Sequence, residues 1–195
     1  MPDINETVEG IELPPLAPSL MQSFRALGYS VEAAIADLLD NSIAAEARNV
    51  EVVFSVEPEP HVAIIDDGTG MKESTLVEAM RFGSRDPRAD RAPTDLGRFG
   101  LGLKTASLSQ CRRVTVVSLC DGALSAAEWD LDECERRGSW WLRRPLPTTE
   151  FPHLVERLVE RGRGTFVLWR GLDRLLPESS QATDAALDAA MAGVA

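Results

Sequence analysis

Residues 61–71 read His61-Val62-Ala63-Ile64-Ile65-Asp66-Asp67-Gly68-Thr69-Gly70-Met71. The apolar run at 61–65 predicts a strand buried on both faces. It breaks off into two carboxylates and two glycines. A strand that runs from a core straight into Asp-Asp-Gly-Thr-Gly delivers carboxylates to the end of a sheet. The same residues also fit a plain Asp-Gly turn of the hairpin kind.

Working outward, residues 49–56 alternate like a second strand, and Pro58 and Pro60 mark the turn between the two. Upstream, 18–27 predicts a short helix stopped by Gly28. Ser30 then caps a longer helix over 31–47, whose stripe is Val31, Ala34, Ile35, Leu38, Leu39 and Ile43. Downstream, helices are expected over 73–82 and 100–108. Strands are expected at 113–119 and 123–130, and again around Trp140, Trp141 and Leu142. A helix over 151–161 and a core strand at 164–170 complete the pattern. Residues 83–99 are rich in Gly, Pro, Asp and Arg and have no apolar period, so they predict a long loop. From 177 the chain is Ala-rich, and a helix there is expected to pack on something outside the chain. Helix pairs come early and hairpin-like strands late, which predicts an α+β two-layer sandwich, a mixed and mostly antiparallel sheet with helices on one face.

The composition restricts the function classes. The chain has 195 residues, 44 % hydrophobic and 26 % charged, ordinary for a globular domain with a real core. No run is long enough to span a membrane. The formal charge of -11 argues against coating DNA. Residues 1–70 hold 13 acids and 2 bases, whereas 81–113 hold 8 bases and 3 acids. Three widely spaced Cys predict reduced thiols in a cytoplasmic protein. Eighteen of the basic residues are Arg; the two lysines are Lys72 and Lys104.

Three groups of residues suggest chemistry. Asp66 at a strand end can accept a hydrogen bond from an exocyclic amine such as that of adenine, and Gly68 and Gly70 would let a flat ring approach the backbone. Gly97, Gly100 and Gly102 occur as Gly-Arg-Phe-Gly-Leu-Gly-Leu-Lys-Thr. A Gly-rich turn opening a helix offers free N–H groups to phosphate. Leu103 spoils a Walker A loop, Thr105 spoils the dinucleotide fingerprint, and a mere loop-to-helix turn stays open. Asp37 and Asn41, four residues apart, share a helix face. Asn41 can ligate Mg²⁺ and Asp37 can orient or deprotonate a water, or both can sit on a solvated flank.

Together these features resemble the GHKL, or Bergerat-fold, ATPases, which include gyrase B subunits, ninety-kilodalton heat-shock chaperones, histidine kinases and MutL. The first motif is matched by Asp37-Leu38-Leu39-Asp40-Asn41-Ser42-Ile43, the second by Asp66, Gly68 and Gly70. The third is matched by Gly97, Gly100 and Gly102, and the fourth by Gly164-Thr165. The resemblance runs from about residue 20 to 172. The Leu-Leu-Asp-Asn and Gly-Leu-Lys-Thr-Ala-Ser runs look most like the MORC branch and its bacterial relatives.

The resemblance implies ATP and Mg²⁺ as ligands. It puts Asp66 on the adenine amine, with Thr165 assisting through a shared water, and Ala45, Gly70 and Met71 beside the base. It gives Mg²⁺ to Asn41, the phosphates to Gly97, Phe99, Gly100, Leu101 and Gly102, and the lid to 83–99. It also implies a nucleotide-dependent homodimer with residues 1–17 as an exchange arm. The ATP-binding domain would be 18–176, and 177–195 a tail or the start of a transducer region. That transducer, or an effector, would lie further along the chain or on a separate polypeptide. DNA-linked work such as restriction, defence or repair follows only from the MORC likeness.

Two positions depart from the family pattern. Hydrolytic members usually have Glu where Asp37 stands, and Asp is shorter by roughly 1.5 Å of reach. Slow hydrolysis is therefore expected. Ala44 stands where many members have Asp. Lys104, two residues after the last glycine, either reaches phosphate or is a surface lysine. Two other readings remain. One is a histidine kinase catalytic domain, for which neither His61 nor His153 lies in a suitable hairpin. The other is a scaffold that binds ATP without turning it over.

Overall fold

The strand expected at 61–65 forms as β2 (His61–Asp66) in the computed structural model, which describes residues 11–26, 28–83, 102–176 and 183–194. It belongs to a six-stranded sheet with β1 (Val50–Ser55), β3 (Arg113–Cys120), β4 (Ala123–Asp130), β5 (Leu142–Arg143) and β6 (Gly164–Arg170). The order is β1-β2-β6-β3-β4-β5, and every pairing is antiparallel. The last strand in the chain is thus inserted at the centre, where its Gly164–Thr165 end meets the Asp66 end of β2.

Side chains alternate across the sheet, as the pleat requires. Val62 and Ile64 face one apolar cluster with Val114, Val116, Val167 and Trp169. Helices α1 (Ala17–Arg25), α2 (Val31–Ala44), α3 (Glu73–Met80), α4 (Gly102–Gln110) and α5 (Leu131–Arg137) cover that face. Ala63 and Ile65 face a second cluster with Val117, Phe166 and Leu168. The α+β sandwich is present, with one addition: α6 (Pro147–Glu150) leads into α7 (Pro152–Arg161), whose Val155 and Leu158 pack on this second face.

Helix α2 is what brings the first motif to the sheet. The Ser30 hydroxyl accepts from Ala33 N at 3.2 Å, fixing the start. Ala34, Ile35, Leu38 and Ser42 are buried along one stripe. Ala45 closes the helix three residues short of the expected end, and its carbonyl accepts from Thr69 N at 2.9 Å. The carboxyl end of α2 is therefore stitched to the loop that follows β2.

Two expectations change. The Ala-rich tail contains α8 (Asp184–Met191), and its packing partner is in this chain: Leu187 and Met191 are buried in the helix-side cluster beside β1. The stretch 131–137, for which no element is expected, is α5. It has a full set of end signals: Asp130 accepts from Glu133 N, acids open it, Arg136 and Arg137 end it, and Gly138 closes it with φ 62°.

Candidate nucleotide site

Asp66, Thr165 and Ser118 form one row across β2, β6 and β3 on the helix-covered face. They continue the columns of Val62, Val167 and Val116, so polar groups replace the core at that end of the sheet. Asp66 is buried. Its Oδ1 accepts from Gly68 N at 2.9 Å and Thr165 N at 3.1 Å, and its Oδ2 accepts from Ser42 Oγ at 3.1 Å. Burial pushes its carboxyl above the ordinary range, and those three donors oppose the rise. Asp67 next to it is the reverse. Asn49, through both its backbone and side chain, and the Arg48 N–H hold Asp67 down to about 2. Asp67 is a loop staple, and Asp66 is the buried acceptor.

The glycines serve packing within the chain. A Cβ on Gly68 would stand 2.8 Å from the Ala45 carbonyl and 2.9 Å from its Cβ. Gly70 has φ +68°, and a Cβ there would lie 2.3 Å from Leu119 O. Gly164 has φ +127°, and a Cβ would lie 2.0 Å from Asp66 O. Packing alone already requires glycine here, because the end of α2, β3 and β6 press against this loop. Met71 N donates to Ser118 Oγ at 2.7 Å, which fixes the loop's exit on β3.

Asp37 and Asn41 share the α2 face, as expected, and both are half-buried. Asn41 Nδ2 donates to the Asp37 carbonyl at 2.8 Å. That bond occupies the amide nitrogen, and the amide oxygen is a hard ligand of the kind that suits Mg²⁺. Gly102 opens α4 beside them: a Cβ on it would be 3.7 Å from Asp37 Oδ2. Tyr29 completes this corner. Burial and the Asp37 carboxylate push its phenol above the ordinary value, and its hydroxyl interacts with the side chains of both Asp37 and Thr105. Gln110 Nε2 holds the Tyr29 carbonyl at 2.9 Å.

Helix α4 is anchored at its far end. Buried Arg25 donates to Leu108 O at 3.0 Å and to Cys111 O, and reaches Asp173 Oδ2 at 2.6 Å. Lys104, in the first turn, is no surface lysine. It is buried, with Nζ on Ala79 O at 2.7 Å and 5.8 Å from the Phe82 ring centre. Its charge therefore sits at the carboxyl end of α3, where helix carbonyls favour a cation.

The structure thus gathers Ala45, Asp66, Gly68, Gly70, Met71 and Thr165 at one end, and Asp37, Asn41 and Gly102 at the other. Gly97, Phe99, Gly100 and Leu101 lie outside the described residues, as does most of the expected lid. Ser42, Ser118 and Tyr29 join the site without having been singled out in the sequence. Ser118 had a faint signal: a polar residue where Val114 and Val116 predict a core-facing position. Among the described residues no helix is long and apolar enough to cross a membrane, and all three cysteines are free thiols.

Comparison with known proteins bears on the same residues. Residues 29–165 match the family of histidine kinase-, DNA gyrase B- and HSP90-like ATPases. A curated relative, ATPase morc-1 of Caenorhabditis elegans, is 32% identical over 94 residues, 48% of this chain and 11% of that protein. The chain therefore corresponds to a small part of that relative's length. The matched family segment contains Asp37, Asn41, Asp66 and Thr165 and covers most of the chain, which belongs to the histidine kinase-, DNA gyrase B- and HSP90-like ATPases.

Proposed function

We propose that this chain binds ATP with Mg²⁺ and hydrolyses it slowly. One observation carries the reading: Asp66 is a buried carboxylate whose Oδ1 accepts from two backbone N–H groups, while among the described residues Oδ2 accepts from Ser42 alone. A buried acceptor kept at a sheet end is costly unless a donor completes it. An exocyclic amine is such a donor. Thr165 stands beside it in the same row.

At the other end, the residues fit a phosphate-bound cation. Among the described residues no three His, Cys, Asp or Glu converge. Asn41 would hold a cation through its amide oxygen, a hard ligand of the kind Mg²⁺ takes. Bound there, Mg²⁺ would neutralise phosphate charge. Asp37, with Oδ2 beside the first residue of α4, would orient the attacking water and take its proton. Lys104 adds positive charge under the same helix start.

The wider roles rest on the family resemblance. Lid closure over 83–99 and dimerisation through the arm are proposed on that ground. Ile11, Leu13 and Leu16 are 87%, 86% and 70% exposed, a fit for an arm that docks elsewhere. Coupling to a transducer or to DNA-linked work is proposed from the MORC likeness. The free thiols suit a reducing cytoplasm.

The test is titration of the protein with ATP and Mg²⁺, comparing wild type with Asp66→Asn. The amide turns an acceptor into a donor facing the amine. We expect affinity to fall by about a hundredfold or more with the fold retained. Unchanged affinity would remove the adenine assignment.

A further inference from the structure

Ser118 is fully buried between three polar neighbours. Its Oγ accepts from Met71 N at 2.7 Å, lies 3.0 Å from the Gly164 carbonyl, and is 2.9 Å from Thr165 Oγ1. A backbone N–H can only donate and a carbonyl can only accept. A serine hydroxyl has one proton and two lone pairs. One arrangement satisfies all three contacts: Ser118 accepts from Met71, donates to Gly164 O, and accepts from Thr165. Thr165 then spends its only proton on Ser118. Thr165 Oγ1 then remains an acceptor toward any ligand, on the same sheet face as the Asp66 carboxylate, its partner in the cross-strand row.

We propose that Ser118 sets the base specificity of the site by fixing the Thr165 hydroxyl as an acceptor. This inference rests on the nucleotide-binding reading of Asp66. Two acceptors side by side make a wall that welcomes an amine and repels an oxygen. At position 6 a purine carries either an amino group, as adenine does, or an oxo group, as hypoxanthine and guanine do. The wall selects 6-amino purines. Without the Ser118 acceptor, the Thr165 proton is free to swing out and donate to a 6-oxo group. Ser118 is thus a positioning residue that acts through Thr165, and it touches no ligand itself.

The experiment compares ATP and ITP, which differ at the 6-position and N1, by calorimetric titration with Mg²⁺. Wild type is expected to prefer ATP strongly. Ser118→Ala should lower the ATP-to-ITP affinity ratio by about tenfold, the worth of one buried hydrogen bond. Ser118→Cys, which keeps the shape and a weak acceptor, should give an intermediate ratio and guards against misfolding of the alanine variant. Thr165→Val should lower the ratio too, and adding Ser118→Ala to it should change the ratio no further, because both remove one device. A purely structural role would weaken both nucleotides alike, so an unchanged ratio in Ser118→Ala or Ser118→Cys overturns the proposal. So does a further fall in the double variant. Failure of the wild type to bind ATP at all would instead overturn the nucleotide reading, and this proposal with it.

Discussion

Asp66 and Asp37 are both carboxylates of the site, yet their surroundings differ in kind. Asp66 closes a central strand, accepts two backbone N–H groups and a serine hydroxyl, and sits where three strands and the end of α2 converge. Gly68, Gly70 and Gly164 around it have no space for a Cβ. Asp37 projects from one helix flank, with Tyr29 and the first turn of α4 as its described neighbours. Gly102 there would accept a Cβ at 3.7 Å from Asp37 Oδ2, an ordinary contact. The Asp66 end, proposed to take the base, is built into the sheet, so its geometry comes with folding. The Asp37 end, proposed to face the phosphates, is made by two helices meeting, so it depends on how α2 and α4 are held together. Gln110 at the end of α4 contributes to that hold by donating to the Tyr29 carbonyl just before α2, while Arg25 ties α4 to α1.

The largest expected effect tests that difference through stability. Gly164→Ala puts a Cβ 2.0 Å from a backbone carbonyl at φ +127°. The sheet must shift, and the cost is expected to be about 3 kcal/mol or more. Gly102→Ala meets no backbone clash among the described residues, and its effect on stability should stay within about 1 kcal/mol. Denaturant unfolding of both variants decides the matter. Equal losses would mean that the two ends are built with the same tightness.

A second effect concerns turnover rather than folding. Asp37→Ala should lower ATP hydrolysis by about a hundredfold while changing ATP affinity little. Asp37→Glu should raise turnover, since the longer side chain recovers roughly 1.5 Å of reach. Steady-state phosphate release measured with binding in parallel separates the two. No loss in the alanine variant together with no gain in the glutamate variant would leave Asp37 without a role as base.

The same contrast explains what was legible in the sequence. The strand at 61–65 was readable because an apolar run ending in Asp-Asp-Gly has few other uses, and α2 because Ser30 and its stripe are local signals. Motif spacing singled out Asp66, Asn41 and Thr165, and all three lie in the segment that matches the family. Helix α5 has equally local end signals, with Asp130 capping it and Gly138 closing it, but its seven residues carry only Leu131 and Cys134 on a buried face, too short an apolar period to mark a helix. Beyond the faint polar signal at Ser118, the roles of Ser118 and Tyr29 were not legible, because they exist only through register and helix packing. Ser118 meets Thr165 across 47 positions, and Gln110 meets Tyr29 across 81. Lys104 also needed the structure: its burial and its bond to the Ala79 carbonyl at the end of α3 arise from helix packing.

Tyr29 gives the smallest and most pointed test. Its phenol is raised above the ordinary value by burial first and by Asp37 next, so it stays protonated at neutral pH and can donate to that carboxylate. It is also packed against the helix-side core, so removing the whole ring would confuse packing with chemistry. Tyr29→Phe keeps the ring and deletes only the hydroxyl. If the hydroxyl holds Asp37 toward the start of α4, turnover should fall by about three- to tenfold, the scale of one hydrogen bond, with ATP affinity and unfolding midpoint nearly unchanged. In an Asp37→Ala background the same change should have no further effect on the residual rate, because the group it positions is gone. A comparable loss in both backgrounds would show that Tyr29 acts by another route, and that the shorter Asp37 is oriented by α2 alone.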